Sequence, residues 1–349
     1  MYLNRLRFSL VAAAGLAVAA TAAPDFSVTP GADVLLRVNM KALQSSPLMK
    51  ELTKDQPEDK ALDAEFLAAT GLTKDDVLGI SAAVVLDGVT EETMANPEAL
   101  MATLPVVGQI HLAKPVTADQ LLKGIKLMND KNPGAQGLNA VSEGGLIRFN
   151  GGEGKPSFVG ALTPDGKSLF LAPRDADVKQ AVARAASGTP AGVSAELASV
   201  LEKDAHINLA VVLPAALRAK IKAQMDEMKS APDAGPQALM FAPFGGLKSV
   251  SISAKMNAAD ADFGLMLDLG TPDNATAANG TLSMFAMMLG SQMGPAGQKL
   301  RFVSEGSIVK LKMNLTKAEL MEAGKGAMQS AGGGLGGEEM PEEEEVPAP

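Results

Sequence analysis

Two periods run through this chain. From Ser249 to Met256, apolar Val250, Ile252, Ala254 and Met256 alternate with polar Ser249, Ser251, Ser253 and Lys255. A period of two places the two sets on opposite faces of a half-buried strand. Val34, Leu36 and Val38 alternate with Leu35, Arg37 and Asn39, and Ile207, Leu209, Val211 and Leu213 do so less cleanly. Elsewhere the period is that of a helix. Leu217, Ile221, Met225 and Met228 stand at i, i+4, i+8 and i+11 and predict one apolar stripe. Leu121, Leu122, Ile125 and Met128 predict a second stripe, behind Thr117 as N-cap. Val178, Val182 and Ala185 predict a third. Thr316 opens a fourth helix, with Glu319 at capping-box spacing and Leu320 inside.

The order of these elements repeats. VSEGGLIRF starts at Val141 and VSEGSIVKL at Val303. Three further pairs precede them in the same order: ADVLLRVNMKAL and AHINLAVVLPAAL, LGISAAVV and VSISAKMN, VGQIHLA and FGLMLDL. In each VSEG segment the Glu-Gly step separates two apolar runs, which predicts strand, turn, strand. Thr163-Pro164-Asp165-Gly166 predicts another turn, so unit 1 carries an additional hairpin around Phe158–Ala172. The expected fold is α+β: two similar units of mostly antiparallel sheet, each a βαββαββα-like repeat with helices packed on one face. The first six elements of each unit also match a ferredoxin-like split βαβ order. Unit 1 is expected over residues 24–190, a connecting helix over 191–203 and unit 2 over 204–330.

The ends of the chain differ from this body. Arg5 and Arg7 precede an apolar stretch from Phe8 to about Ala20, and Ala20-Thr21-Ala22 is an A-x-A-like cleavage site. Residues 1–23 therefore read as a secretory signal, and no later segment is long and apolar enough to span a bilayer. Residues 331–349 combine Gly, Pro and Glu with almost nothing to bury, and are expected to form a disordered acidic tail. The net charge of −9 comes largely from that tail. No basic patch for nucleic acid is present. The chain has no cysteine, which removes thiol catalysis, Fe–S clusters and Cys-ligated zinc. A long cysteine-free exported chain points to a bacterial envelope, periplasmic or extracellular.

Candidate chemistry is sparse. GALTPDGKS, from Gly160, has five residues between its glycines where a phosphate loop needs four, and lies in the predicted hairpin. His111 and His206 fall in predicted strands without zinc spacing, so no metal site is expected. Ser307 and Lys310 have S-x-x-K spacing but in a strand pattern rather than at a helix start. Asp260, Asp262 and Asp268 read as turn and strand-end residues. The sequons at Asn274, Asn279 and Asn314 matter only in a glycosylating pathway. Met284, Met287 and Met288 share a helical stripe, best read as core packing. With Met266 they are also the candidate lining of an apolar ligand pocket. Arg37, Arg148, Lys255, Lys310 and Lys312 take outward strand positions, which would give a basic sheet face if the register holds. No catalytic residue and no cofactor is expected.

The stretch GADVLLRVNMKALQSSPLMKEL, Gly31 to Leu52, resembles the opening of a group of exported bacterial proteins. In that group a polar-Asp-apolar strand and an A-L-x-x-S-P-L segment follow the signal in a duplicated α+β chain. The resemblance implies envelope localisation and an α+β fold, and no activity. The sequence thus leads to an exported non-enzymatic protein with a binding or structural role toward an unidentified protein partner, with a carrier of an apolar small molecule as the alternative and an enzyme of unrecognised type, built on acid–base pairs such as Glu143 or Glu305 with a neighbouring Lys or Arg, as the third reading.

Overall fold

The structure, a computed structural model, describes residues 30–54, 60–89, 104–131, 139–150, 157–189, 192–230, 240–290 and 294–323. The expected signal (1–23) and acidic tail (331–349) lie outside the described residues. Unit 1 runs β1 (Val34–Val38), α1 (Met40–Ser45), α2 (Pro47–Thr53), α3 (Lys60–Thr70), β2 (Val77–Val84), β3 (Val106–Leu112), α4 (Ala118–Lys131), β4 (Asn139–Glu143), β5 (Leu146–Asn150), β6 (Phe158–Leu162), β7 (Ser168–Ala172) and α5 (Asp175–Ser187). The short helix α6 (Ala195–Ser199) joins it to unit 2, in the stretch expected as a connecting helix. Unit 2 runs β8 (Ile207–Val212), α7 (Ala215–Ser230), β9 (Ser249–Met256), β10 (Asp260–Asp268), α8 (Pro272–Gly290), β11 (Phe302–Glu305) and β12 (Ile308–Thr316), then the helical residues 317–323, α9.

All twelve strands form one sheet, ordered β11-β12-β10-β9-β8-β1-β2-β3-β7-β6-β5-β4. Every pairing in it is antiparallel. The fold is α+β, and the two units share the sheet through a β1–β8 seam, with Leu36 opposite Leu209. The ferredoxin-like strand order does not occur. It would place a third strand between the two joined by the first helical excursion, whereas β1 and β2, and likewise β8 and β9, are direct antiparallel neighbours. Within unit 2 only the α8 crossover is split, from β10 to β11 with β12 between them. The added hairpin β6–β7 enters the sheet itself, between β3 and β5. The VSEG hairpins consequently form opposite edges, β4 at one end and β11 at the other. Gly144 and Gly145 (φ 60° and 79°) make the tight turn of the first, and Gly306 (φ 57°) opens the second.

Alternation divides the sheet into two faces. On the front, α3 and α4 pack over unit 1, around Leu112, Ile147, Phe149 and Leu169. Over unit 2, α8 packs there through Ala275, Ala278 and Leu282 against Leu267 and Val309. The equivalent helices thus share one face, as expected. The last helix of unit 1 and the connecting helix do not. α5 packs on the back through Val178 and Ala181 against Phe170 and Ala172, and α6 through Leu197 against Leu35 and Ala210. Their apolar stripes face back-pointing strand residues that would otherwise stay wet.

Both expected caps form. Gln120 Oε1 accepts the Thr117 N–H at 2.9 Å, while Thr117 Oγ1 accepts the Gln120 N–H at 3.3 Å. Glu319 Oε2 accepts the Thr316 N–H at 2.8 Å, and Lys299 Nζ donates to the same oxygen at 2.7 Å. Those bonds, that from Lys299 first, lower the Glu319 carboxyl to about 2.

Candidate functional site

Register fixes where the candidate cations go. Arg37 stands opposite Asn208, Asn208 opposite Ser253, Ser253 opposite Gly264 and Gly264 opposite Lys312. Lys255 and Lys310 lie two residues from members of that row, hence on the same face. Arg148 stands opposite Val159, and Val159 opposite Ala172, which faces α5 on the back. All five cations are on the back. They do not make one site. β5 and β12 are nine strand steps apart, on the order of 40 Å at normal strand spacing.

Acids are interleaved among them. Arg148 donates to Glu143 at 2.7 Å and, as a fork, to Asp175 at 3.1 and 2.9 Å. Lys310 donates to Glu305. Lys255 is the cross-strand partner of Asp262, whose carboxylate also accepts from Asn314 and Asn257 at 2.8 and 2.7 Å. Those bonds, that from Asn314 first, hold Asp262 below its ordinary range. The back of the sheet is thus a mixed-charge surface. A basic face would need the acids elsewhere, yet antiparallel pairing brings Asp262 directly opposite Lys255.

The four methionines also separate. Leu265 and Leu267 face the front core, so Met266 between them faces the back, opposite Lys310. Met284, Met287 and Met288 are on α8, at the front. They are 39%, 73% and 61% exposed, which corrects the expectation that they pack in the core. The sheet-facing stripe of α8 is built from Ala275, Ala278, Leu282 and Ala286 instead. Small residues let the helix sit close to the strands, and the long thioethers are left outside.

Further apolar side chains are exposed on the same unit. Met228 ends the α7 stripe at 42% exposure, and no α7 residue is buried. Phe241 and Ile252 are each 45% exposed. Ile252 lies on the front of β9, between Leu209 and Leu265, where a closed helical layer would cover it. The alternation in β9 places Ile252 on the apolar face, but no sequence signal indicates that the helices leave it open.

The remaining candidates sit in a strand, at or just before a strand start, and in a turn. Ser168 receives Gln109 Nε2 at 3.1 Å and lies 3.2 Å from His111 Nδ1, inside the sheet's back face. Burial lowers the His111 pKa. His206 Nδ1 accepts the Met256 N–H at 3.2 Å, and burial followed by Lys255 lowers its pKa also. Ser307 lies in the β11–β12 turn. Among the described residues no group of three or more His, Asp or Glu could hold a metal ion, and no helix is long and apolar enough to cross a membrane.

No protein-family model and no curated protein matches the chain. Among solved structures it is similar to TP0453. Crystal form I is 10% identical, covers 89% of this chain and 99% of that one, and has a TM-score of 0.39. Crystal form III is 11% identical, covers 88% and 99%, and has a TM-score of 0.42. These figures carry no argument about function, which has to rest on the chain's own residues.

Proposed function

We propose that this is an exported, non-enzymatic binding protein whose contact surface is the front of unit 2. The observation behind this reading is the exposure of Met228, Phe241, Ile252, Met284, Met287 and Met288 on one unit of a chain whose other unit is well covered. Concentrated exposed apolar side chains mark interaction surfaces, and Met adapts its shape to a partner. The expected partner is a protein with an apolar face. The test is native mass spectrometry of the protein purified from its own envelope, for wild type and a Met287→Glu/Met288→Glu variant. A partner mass present in the wild type and lost in the variant supports the reading. Equal partner retention by both contradicts it.

Ile252 favours a second reading. A half-exposed isoleucine on the helix-bearing face of the sheet suits an apolar small molecule laid against the strands between α7 and α8. A small added mass that vanishes on denaturation, and is absent from Ile252→Asp, supports the carrier. A bare polypeptide mass speaks against it.

A further inference from the structure

The edges of the sheet carry a further inference, which shares only Met287 with that reading. Among the described residues β11 pairs only with β12. Its hairpin closes with Glu305 opposite Ile308, and Val303 pairs with Lys310. In an antiparallel ladder these residues bond inward, so the N–H and C=O groups of Phe302 and Ser304 point away from the sheet. Arg301, Val303 and Glu305 alternate onto the back face. Arg301 and Glu305 are exposed, and Val303 is 53% exposed.

We propose that two copies of this chain pair through β11, antiparallel about Val303, so that one sheet continues across a two-fold axis. In that register Phe302 exchanges backbone bonds with Ser304 of the second copy, and the reverse. Val303 meets its own counterpart. Arg301 of each copy meets Glu305 of the other, so the edge is self-complementary in charge as well as in hydrogen bonding. Arg301 precedes the Phe302–Leu311 pair and so adjoins Lys312, which makes an incoming carboxylate more favourable still.

The front face fits the same arrangement. α8 packs along β11 and β12. Strands are about 4.8 Å apart and packed helices about 8–10 Å, so a helix over the last two strands lies about 5 Å from the axis. The two copies of α8 then come about one helix diameter apart. Asn274 donates to the Leu269 carbonyl and Thr281 to the Met240 carbonyl, which marks the flank of α8 facing the sheet centre. Thr276, Gly280, Ser283 and Met287 lie on the opposite flank, over the edge. A Cβ on Gly280 would meet nothing within 4 Å, and Met287 is 73% exposed. This flank of small residues plus one methionine would close the helix pair.

The β4 edge is a poorer candidate despite its VSEG sequence. Asn139 stands where β11 has Arg301, so the residue that would face Glu143 of the second copy carries no charge. Pairing about Val141 would form no cross-seam ion pair.

Sedimentation velocity on the purified chain tests this. The wild type is expected to show a monomer–dimer equilibrium. Arg301→Glu and Glu305→Arg should each weaken association by about tenfold or more, because every cross-seam pair becomes like-charged. Mixing the two variants should restore the dimer, since each pair is again Glu with Arg. All these side chains are exposed, and unchanged circular dichroism would show that the variants fold. A wild type monomeric at every concentration overturns the proposal. So does single-variant association equal to wild type, a mixture that fails to associate, or a dimer abolished by Val141→Lys but not by Val303→Lys.

Discussion

Units 1 and 2 share one strand plan and differ in what covers it. Among the described residues, the largest fully buried side chains of unit 1 are Leu35, Leu48, Thr70, Val107, Ile147, Phe170 and Val178, that of the connecting helix is Leu197, and those of unit 2 are Leu269 and Val309. Of the markedly exposed large apolar residues, Leu67 and Val141 are in unit 1, and Met228, Phe241, Ile252, Met284, Met287, Met288, Val303 and Met321 in unit 2. The difference comes from inserted elements. Unit 1 has α3 locked onto α4, the extra β6–β7 hairpin, and α5 on the back. In unit 2, α8 covers the outer strands, and α7 leans on the 3₁₀ turn Ala242–Gly246 with no buried residue of its own. The two units share a strand pattern, and the elements in which they differ leave unit 1 covered and unit 2 with exposed apolar surface.

The comparison can be broken most forcefully at the cores. Phe170→Ala should destabilise the protein by roughly 3–5 kcal/mol, because a fully buried ring leaves a cavity. Met287→Ala should stay within about 0.5 kcal/mol. Urea unfolding of both variants measures the contrast, and similar losses would abolish it.

The mid-helix glycines sharpen the comparison. A Cβ on Gly124 of α4 would lie 2.5 Å from Thr70 Cγ2 in α3. Gly124→Ala should therefore cost about 1–3 kcal/mol by forcing those helices apart. Gly280→Ala, in the equivalent helix of unit 2, meets open space and should stabilise by about 0.5–1 kcal/mol through helix propensity. Thermal melts should move in opposite directions.

Acidification gives a smaller effect. His111 and His206 have folded pKa values below the ordinary 6.5, both through burial first. Below pH 6.5 the unfolded chain takes up these protons before the folded one does. The contribution is thus complete above 6.5 and is lost as pH falls towards the folded values. The melting temperature should decline over that window, and His111→Gln/His206→Gln should flatten the decline. Glu319 acts at lower pH. Its pKa of about 2 gives stability that is complete above the ordinary carboxylate range and lost as pH falls towards 2. Glu319→Gln should remove that component and leave the histidine window intact.

Local signals were well written in the sequence. The Ser249–Met256 alternation, the Thr117 and Thr316 caps and both VSEG turns formed as their residues indicated, because each depends on neighbours a few positions away. The α+β class followed from element order. Strand neighbours did not, since hairpin order and split βαβ order produce the same string of elements until pairing is seen. The faces of long helices were only half legible. In α8 the apolar residues surround the axis, and the alanines won the sheet side because they allow close approach. Alternation puts the five cations on one face of the sheet, but the acids that make that face mixed in charge depend on long-range register.

The most direct test of unit 2 as the contact surface is methionine oxidation, followed residue by residue by mass spectrometry in intact cells and in the purified chain. The account predicts that Met228, Met284 and Met288 oxidise several-fold more slowly in cells, while Met321, 48% exposed on α9 and not part of the proposed contact, keeps its rate. Equal rates for all four in cells and in solution would contradict it.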